Sequence, residues 1–375
     1  MIRILHSVSY MSRGGIETML MNYYRNIDRT KVQFDFLCNS NLHGAYDEEI
    51  LSMGGRIFRT PGFSPLKRRA YKKYMRELFE AHPEYQIVEA HNGPLGRYAM
   101  KAAKDSNIPI RIYHAHGADL RFDLKWPIKY YCMKMLKYSM NKHFVCSEKA
   151  GRFYMGDDVI DRGDFHFIPN AIAIENFLFS KTMRDNLRKE FHLEDKLVIG
   201  HIGRLSPQKN HKFILDTFAE LHRINAKTHL VLVGDGEWHD LVVNKIKSLG
   251  LTENVTLTGS IPNPQDWYQA FDLFFMPSLW EGLPVTGVEA QASDLPCVFS
   301  SAVTQEVALS DKTEFISLDQ PREYWVRRLN DIIMHLPPRR DMTSTITQKH
   351  YNIKEEAKDL QNLYLDFYEK AKQGC

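Results

Sequence analysis

Short apolar runs recur along this 375-residue chain, and after most of them apolar residues return at every third or fourth position. The first pattern fits strands buried on both faces, and the second fits helices with one face to bury. Strands are predicted at 2–8, 32–38, 86–90, 110–115 and 143–146 in the first half. In the second half they are predicted at 197–202, 229–233, 255–258, 272–276 and 296–299. Repeated β–α alternation implies parallel sheets covered by helices. It happens twice, with a junction at Ile168-Pro169-Asn170-Ala171 through Phe177. Two α/β units therefore fit better than one large sheet. The stretch 353–372 spaces Ile353, Ala357, Leu360, Tyr364 and Phe367 at helical intervals. It is a long helix that must bury one face, on the second unit or back across the first.

Composition changes this picture little. The chain is 43% hydrophobic and 25% charged, as a soluble globular protein is. Its opening, Met1-Ile2-Arg3-Ile4-Leu5-His6, reads as strand rather than leader, and no apolar run approaches the ~20 residues of a spanning helix. Five scattered cysteines without Cys-x-x-Cys fit free thiols in a reducing compartment. The expected location is therefore cytoplasmic.

Charge changes it more. The net charge is +3, but residues 1–175 hold 26 Lys and Arg against 19 Asp and Glu, whereas the remainder holds 23 against 27. Two predicted helices, 66–79 and 125–142, are both amphipathic and basic. Such helices can lie on an anionic membrane, so peripheral contact with the inner face of the cell membrane is an expectation. The commoner alternative is a core-facing helix with a solvated lysine face.

The candidate chemistry gathers at predicted strand ends, where open α/β sheets bind ligands. Glu281 and Glu289 flank a helix start in Trp280-Glu281-Gly282-Leu283-Pro284-Val285-Thr286-Gly287-Val288-Glu289. A helix start offers unpaired amides to an anion, and carboxylates bind hydroxyls well. An anion site flanked by two hydroxyl-binding acids suits a nucleotide sugar. Gly203-Arg204 and Lys209 follow the first strand of the second half and supply a planar fork and a point charge for phosphate. Gly14 and Gly15, in Ser12-Arg13-Gly14-Gly15-Ile16-Glu17, open a helix after the first strand. They make neither a Gly-x-Gly-x-x-Gly fingerprint nor a Walker loop. Gly234 and Gly236 follow another strand, but His239 stands where a dinucleotide motif needs its third glycine.

His114 and His116 end a first-half strand and share a face. With His91 they could ligate a metal, but no carboxylate stands at ligand spacing, so a single histidine hydrogen-bonding substrate is preferred. No Asp-x-Asp occurs in the chain. A leaving diphosphate would then be stabilised by Arg204, Lys209 and helix-start amides, with no metal and no cofactor required.

Together these features resemble the family 4 retaining glycosyltransferases of the two-Rossmann (GT-B) architecture, over nearly the whole chain. The most specific matches are Glu281 with Glu289, Gly203-Arg204 with Lys209, Gly14-Gly15 and His116-Gly117. The opening from Ile4 to Glu17 looks most like the bacterial capsular and exopolysaccharide branch. The resemblance implies an acceptor domain at 1–172, a nucleotide-sugar domain at 173–352, a cleft between them, and a helix at 353–375 crossing back. It implies that Arg204 and Lys209 hold the diphosphate, with Gly15 approaching it. Glu281 would bind donor-sugar hydroxyls and Glu289 the ribose. Leu283, Val285 and Thr286 would line the phosphate or sugar, and His116 would bond the sugar near the reacting carbon. The base would lie by Thr258, Gly259 and Gly234.

The resemblance further implies transfer from a nucleotide diphosphate sugar, with uridine the favoured base, to a lipid-linked or saccharide acceptor, and no nucleic-acid partner. Configuration would be kept by same-face attack, the leaving phosphate taking the acceptor's proton. The turn after Glu281 is Gly-Leu-Pro, where Gly-Phe-Gly or Gly-Phe-Pro is common. Gly287 falls inside the helix, at a cost of about 1 kcal/mol relative to Ala. The alternative readings are a nucleotide-sugar 2-epimerase, whose acid/base carboxylates cannot be placed, and a non-catalytic sugar-nucleotide-binding subunit.

Overall fold

The computed structural model describes residues 1–60, 67–117 and 126–373. The chain divides into two compact units, Met1–Ala171 with Asn352–Cys375, and Ile172–Tyr351. Both are parallel α/β sheets.

The first unit has seven strands, β1 (Ile2–Val8), β2 (Val32–Cys38), β3 (Ile57–Arg59), β4 (Tyr85–Ala90), β5 (Ile110–Ala115), β6 (Lys142–Val145) and β7 (His166–Phe167). Their order is β3-β2-β1-β4-β5-β6-β7. The second unit has β8 (Leu197–Ile202), β9 (Thr228–Val233), β10 (Val255–Leu257), β11 (Leu273–Met276), β12 (Cys297–Ser300) and β13 (Thr313–Ile316), in the order β10-β9-β8-β11-β12-β13. Both sheets reverse direction next to their first strand. Loops leaving β1 and β4, and those leaving β8 and β11, therefore open a crevice at the strands' carboxyl ends.

Three short strands go beyond the ten predicted. β3, β7 and β13 lie at sheet edges. An edge strand buries less, so β3 (Ile-Phe-Arg) and β13 (Thr-Glu-Phe-Ile) lack a continuous apolar run. The predicted strand 272–276 begins at Leu273 instead. Asp272 is a buried carboxylate that accepts hydrogen bonds from the Val198 amide (2.7 Å) and Arg188 (3.1 Å) and pairs with Arg184. It fastens the helix Lys181–Glu190 to the sheet.

The basic helices also differ from expectation. The first runs Arg68–Ala81. The second runs Trp126–Leu136 rather than to residue 142, because Lys142 already belongs to β6. Asn141 makes the corner, accepting from the Arg111 amide (2.8 Å) and donating to the Pro109 carbonyl (2.7 Å). Residues 66 and 125, the predicted starts, lie outside the described residues. Among the described residues, no helix is long and apolar enough to cross a membrane. The last helix, Ile353–Gln373, belongs to the first unit, where Tyr364 donates to Glu89 of β4 (2.5 Å).

Candidate active site

In the second unit the site is made by two loops at the switch point. β11 is apolar on both faces and stops at Pro277, which has no N–H for the ladder. The loop after it is sewn to the loop after β8. Asn210, left-handed at φ 58°, donates through Nδ2 to the Pro277 carbonyl (3.1 Å), and the Leu279 amide donates to the Gln208 carbonyl (2.8 Å). Gln208 Nε2 donates to the Trp280 carbonyl (3.0 Å) and Glu281 Oε2 (3.1 Å). Lys209 Nζ lies 2.6 Å from Glu281 Oε1. This ion pair is nearly buried, with side chains 14% and 8% exposed. A fixed cation and a fixed carboxylate thus share one end of the sheet. Sequence reasoning missed Gln208, which holds the Glu281 oxygen that Lys209 does not.

Arg204 behaves differently. Its side chain is 69% exposed, and Nε donates to Glu237 (2.9 Å). The two predicted phosphate cations therefore end on different carboxylates. Beneath them Gly203, Gly234 and Gly259 form a floor of backbone. The Gly203 amide donates to Val233 (3.0 Å) and the Gly234 amide to Gly259 (3.0 Å). Gly234 sits at φ +132°, and a Cβ there would overlap the Gly203 carbonyl, so only glycine fits. Thr258 Oγ1 donates to the Gly259 carbonyl (3.0 Å).

The helix beside Glu281 runs Val285–Ala292, with Pro284 at its cap. The amides of Val285 and Thr286 have no intrahelical acceptor. Leu283 and Val285 are buried, and Thr286 is half-buried. Gly287 has a packing reason, since a Cβ would come within 3.0 Å of Val307 and 3.3 Å of Phe299. Glu289, one turn on, is half-buried and accepts from the Tyr268 hydroxyl (2.7 Å), which also contacts the Thr286 carbonyl (3.2 Å). Burial pushes the Glu289 carboxyl up to about 7, and the Tyr268 bond opposes that shift. Tyr268 gave no signal in sequence beyond being an aromatic before a strand.

In the first unit Gly14 caps the helix Gly15–Asn26. The Glu17 carboxylate folds back against Gly14 and takes a hydrogen bond from its own amide, whereas a Cβ on Gly15 would meet nothing within 4 Å. Burial raises Glu17 to about 7. A phosphate arriving here must displace that acid.

His116 lies just beyond β5, half-buried, with Nε2 2.9 Å from His91 Nδ1. His114 is buried, stacks on His116 at 4.0 Å between centroids, and meets Glu89 Oε1 through Nδ1 (2.9 Å). Of the two, His116 is the one with exposed surface. The sequence offers no carboxylate at ligand spacing, but parallel pairing of β4 with β5 brings Glu89 alongside. His91, His114 and His116 each bring one nitrogen within 4.8 Å of the others, and two nitrogens of His6 and His91 lie as close to a carboxylate oxygen of Glu89. No ion is needed to account for these contacts, since the same atoms are already joined by hydrogen bonds.

Comparison with known proteins agrees in family and fold. The family described as "Glycosyltransferase Family 4" matches residues 13–176, and that described as "Glycosyl transferases group 1" matches 183–349. The chain is 33% identical to the glycosyltransferase EpsF of Bacillus subtilis, over 96% of each chain. It is 24% identical to an Escherichia coli UDP-Gal:alpha-D-GlcNAc-diphosphoundecaprenol alpha-1,3-galactosyltransferase, over 97% of each. It shares its fold with Anabaena HepE in complex with UDP-glucose, at a TM-score of 0.72, 18% identity and coverage of 100% and 99%.

Proposed function

Because the chain belongs to glycosyltransferase family 4 and has the GT-B pair of Rossmann-like domains, we propose that it transfers a sugar from a UDP-sugar to a lipid-linked or saccharide acceptor in cell-surface polysaccharide synthesis. The observation that carries this reading is the Lys209–Glu281 pair at the carboxyl ends of β8 and β11. Lys209 neutralises charge on the leaving diphosphate, helped by the Val285 and Thr286 amides. Arg204 joins it by leaving Glu237, with which it makes only an exposed pair. Glu281 orders the sugar hydroxyls, Glu289 the ribose, and Thr258, Gly259 and Gly234 lie along the base. His116 bonds the donor sugar. Transfer proceeds with retention: the acceptor oxygen attacks the face the phosphate leaves, and the phosphate takes its proton. The E. coli relative's diphosphoundecaprenol substrate favours a lipid-linked acceptor.

The test is release of UDP from a panel of UDP-sugars by purified protein, with and without acceptor. Turnover should survive EDTA, since the chain has no Asp-x-Asp and Lys209 with the helix-start amides would neutralise the diphosphate in a metal's stead. Restoration by Mg²⁺ or Mn²⁺ after loss in EDTA would sink that assignment, and no UDP release with any donor would sink the reading itself.

The enzyme works at the inner face of the cell membrane through a basic, aromatic face of the first unit. Ile128, Tyr130, Tyr131 and Tyr138 are exposed there. Lys134 lies over Tyr130 (5.4 Å) and Arg97 over Tyr131 (5.1 Å). Lys72, Arg76, Arg97 and Lys101 line a pocket of about 250 Å³ beside them. Each cation near an anionic surface contributes about 1 kcal/mol. Lys72→Ala and Lys134→Ala should each weaken co-sedimentation with phosphatidylglycerol vesicles about fivefold at low salt. Binding that ignores both changes and added salt would make this an ordinary solvated face.

A further inference from the structure

Four first-unit histidines, His6, His91, His114 and the half-buried His116, form a connected set, and the transfer reaction uses only its outer end. Glu89 is fully buried in β4. Its Oε2 accepts from the Tyr364 hydroxyl (2.5 Å) and its Oε1 from His114 Nδ1 (2.9 Å). The same Oε1 lies 3.4 Å from His91 Nε2, which is also 3.0 Å from His6 Nδ1. His91 Nδ1 in turn lies 2.9 Å from His116 Nε2. Burial lowers the pKa of all four rings, to about 4 for His6 and about 3 for His114. Each ring is therefore neutral near pH 7 and carries one proton. Burial also raises the Glu89 pKa, and the Tyr364 hydrogen bond opposes it.

One proton per ring leaves two arrangements. In the first, His91 Nε2–H points at Glu89 and His6, and His91 Nδ1 accepts from His116 Nε2–H. The outer nitrogen of His116, Nδ1, is then a bare acceptor. In the second, His6 donates to His91 Nε2, His91 Nδ1–H donates to His116, and His116 Nδ1 carries the proton outward. The first arrangement leaves the buried His6 Nε2–H without a partner, but the second turns a lone pair of His91 toward a full carboxylate charge, which is repulsive. The first puts an N–H there. The tautomer of a histidine is set by the bond its other nitrogen makes.

We propose that Glu89 is a positioning residue: through His91 it holds the His116 proton on Nε2 and leaves Nδ1 free to accept from a substrate hydroxyl. The kinetic side of this rests on the assignment of His116 to the donor sugar; the tautomer does not. Tyr364 extends the chain to the C-terminal helix, so the last helix helps to hold the carboxylate on which the His116 tautomer depends.

The experiment is nitrogen-15 imidazole NMR of the full-length protein, with the His116 signals identified by their loss in His116→Ala. The wild-type spectrum should show His116 protonated on Nε2. A Nδ1–H tautomer in the wild type would overturn the proposal, whether or not any variant folds. A stoichiometric transition metal in the purified protein would overturn it too, because ligated nitrogens cannot make these bonds. Glu89→Gln should shift His116 toward the Nδ1–H form and lower kcat about a hundredfold with UDP affinity unchanged, and Glu89→Asp should restore part of both. Loss of kcat in Glu89→Gln with an unchanged tautomer would reduce Glu89 to a structural residue. If transfer were unchanged in His116→Ala, the donor-sugar assignment would fall and the NMR would still decide the positioning role.

Discussion

Lys209→Ala should lower kcat/KM about a thousandfold, Glu281→Ala should do nearly the same, and the double variant should lose little more than either. Lys209 is the cation fixed beside the site, and one preorganised group facing developing charge is worth about 10²–10³ in rate. The pair adds a second cost. Lys209 Nζ and Glu281 Oε1 are 2.6 Å apart with 14% and 8% side-chain exposure. Removing one partner leaves an uncompensated charge, which costs about 3–5 kcal/mol in a fully buried pair and less at this residual exposure. In Lys209→Ala, Glu281 keeps Gln208 but turns an unneutralised carboxylate toward an incoming diphosphate. The double variant relieves that repulsion, so the losses should not add. Steady-state kinetics beside thermal unfolding of all three variants checks this. Additive losses, or a Lys209→Ala enzyme within a few-fold of wild type, would mean that the pair is structural and that phosphate is held elsewhere.

That Lys209 and Glu281 would both stand at strand ends was legible because it rests on topology; that they pair was not. Both residues follow buried apolar strands, and parallel α/β sheets bring strand ends together whatever the loop details. The glycine floor was legible for a similar reason, since Gly234 follows such a strand directly. What sequence could not give was the partner of each charge. Arg204 and Lys209 read alike as loop cations, and only the folded loops send one to Glu237 and the other to Glu281. Glu17 carried no reading of its own in sequence, and only the folded helix start shows its carboxylate turned back against Gly14. Glu89 was the plainest missed signal. A carboxylate within Ile87-Val88-Glu89-Ala90 is out of place in a buried strand unless something pairs with it. Its partners arrive from β5 and from a helix 275 residues later, separations that local pattern does not encode. The edge strands β3 and β7 escaped because two or three half-buried or exposed residues carry no periodicity.

Glu289→Gln should weaken UDP binding by about 1.5–3 kcal/mol at pH 8, the cost of hydrogen bonds to a charged group. Glu281→Gln should leave UDP affinity nearly intact and lower kcat, because the donor sugar is absent from UDP and its charge changes only during reaction. The Glu289 effect should also depend on pH. In the free enzyme burial holds this carboxyl at about 7, so it is about half protonated near neutrality. Ribose hydroxyls donate hydrogen bonds and favour the carboxylate. Binding must therefore release a proton at low pH, and wild-type affinity should rise roughly tenfold from pH 6 to pH 8 relative to the Gln variant. The ratio of the two proteins matters because the terminal phosphate of UDP also titrates and affects both alike. Stability of the free enzyme should run the other way. A carboxyl raised in the folded state contributes stability below its unfolded pKa and loses it as pH rises through about 7, so the unliganded wild type should fall relative to Glu289→Gln over that interval. Calorimetric titration of UDP across this range, with melting curves of both free proteins, tests the two slopes together. A flat affinity ratio, or loss of UDP binding in Glu281→Gln while Glu289→Gln keeps it, would require the two glutamates to exchange roles.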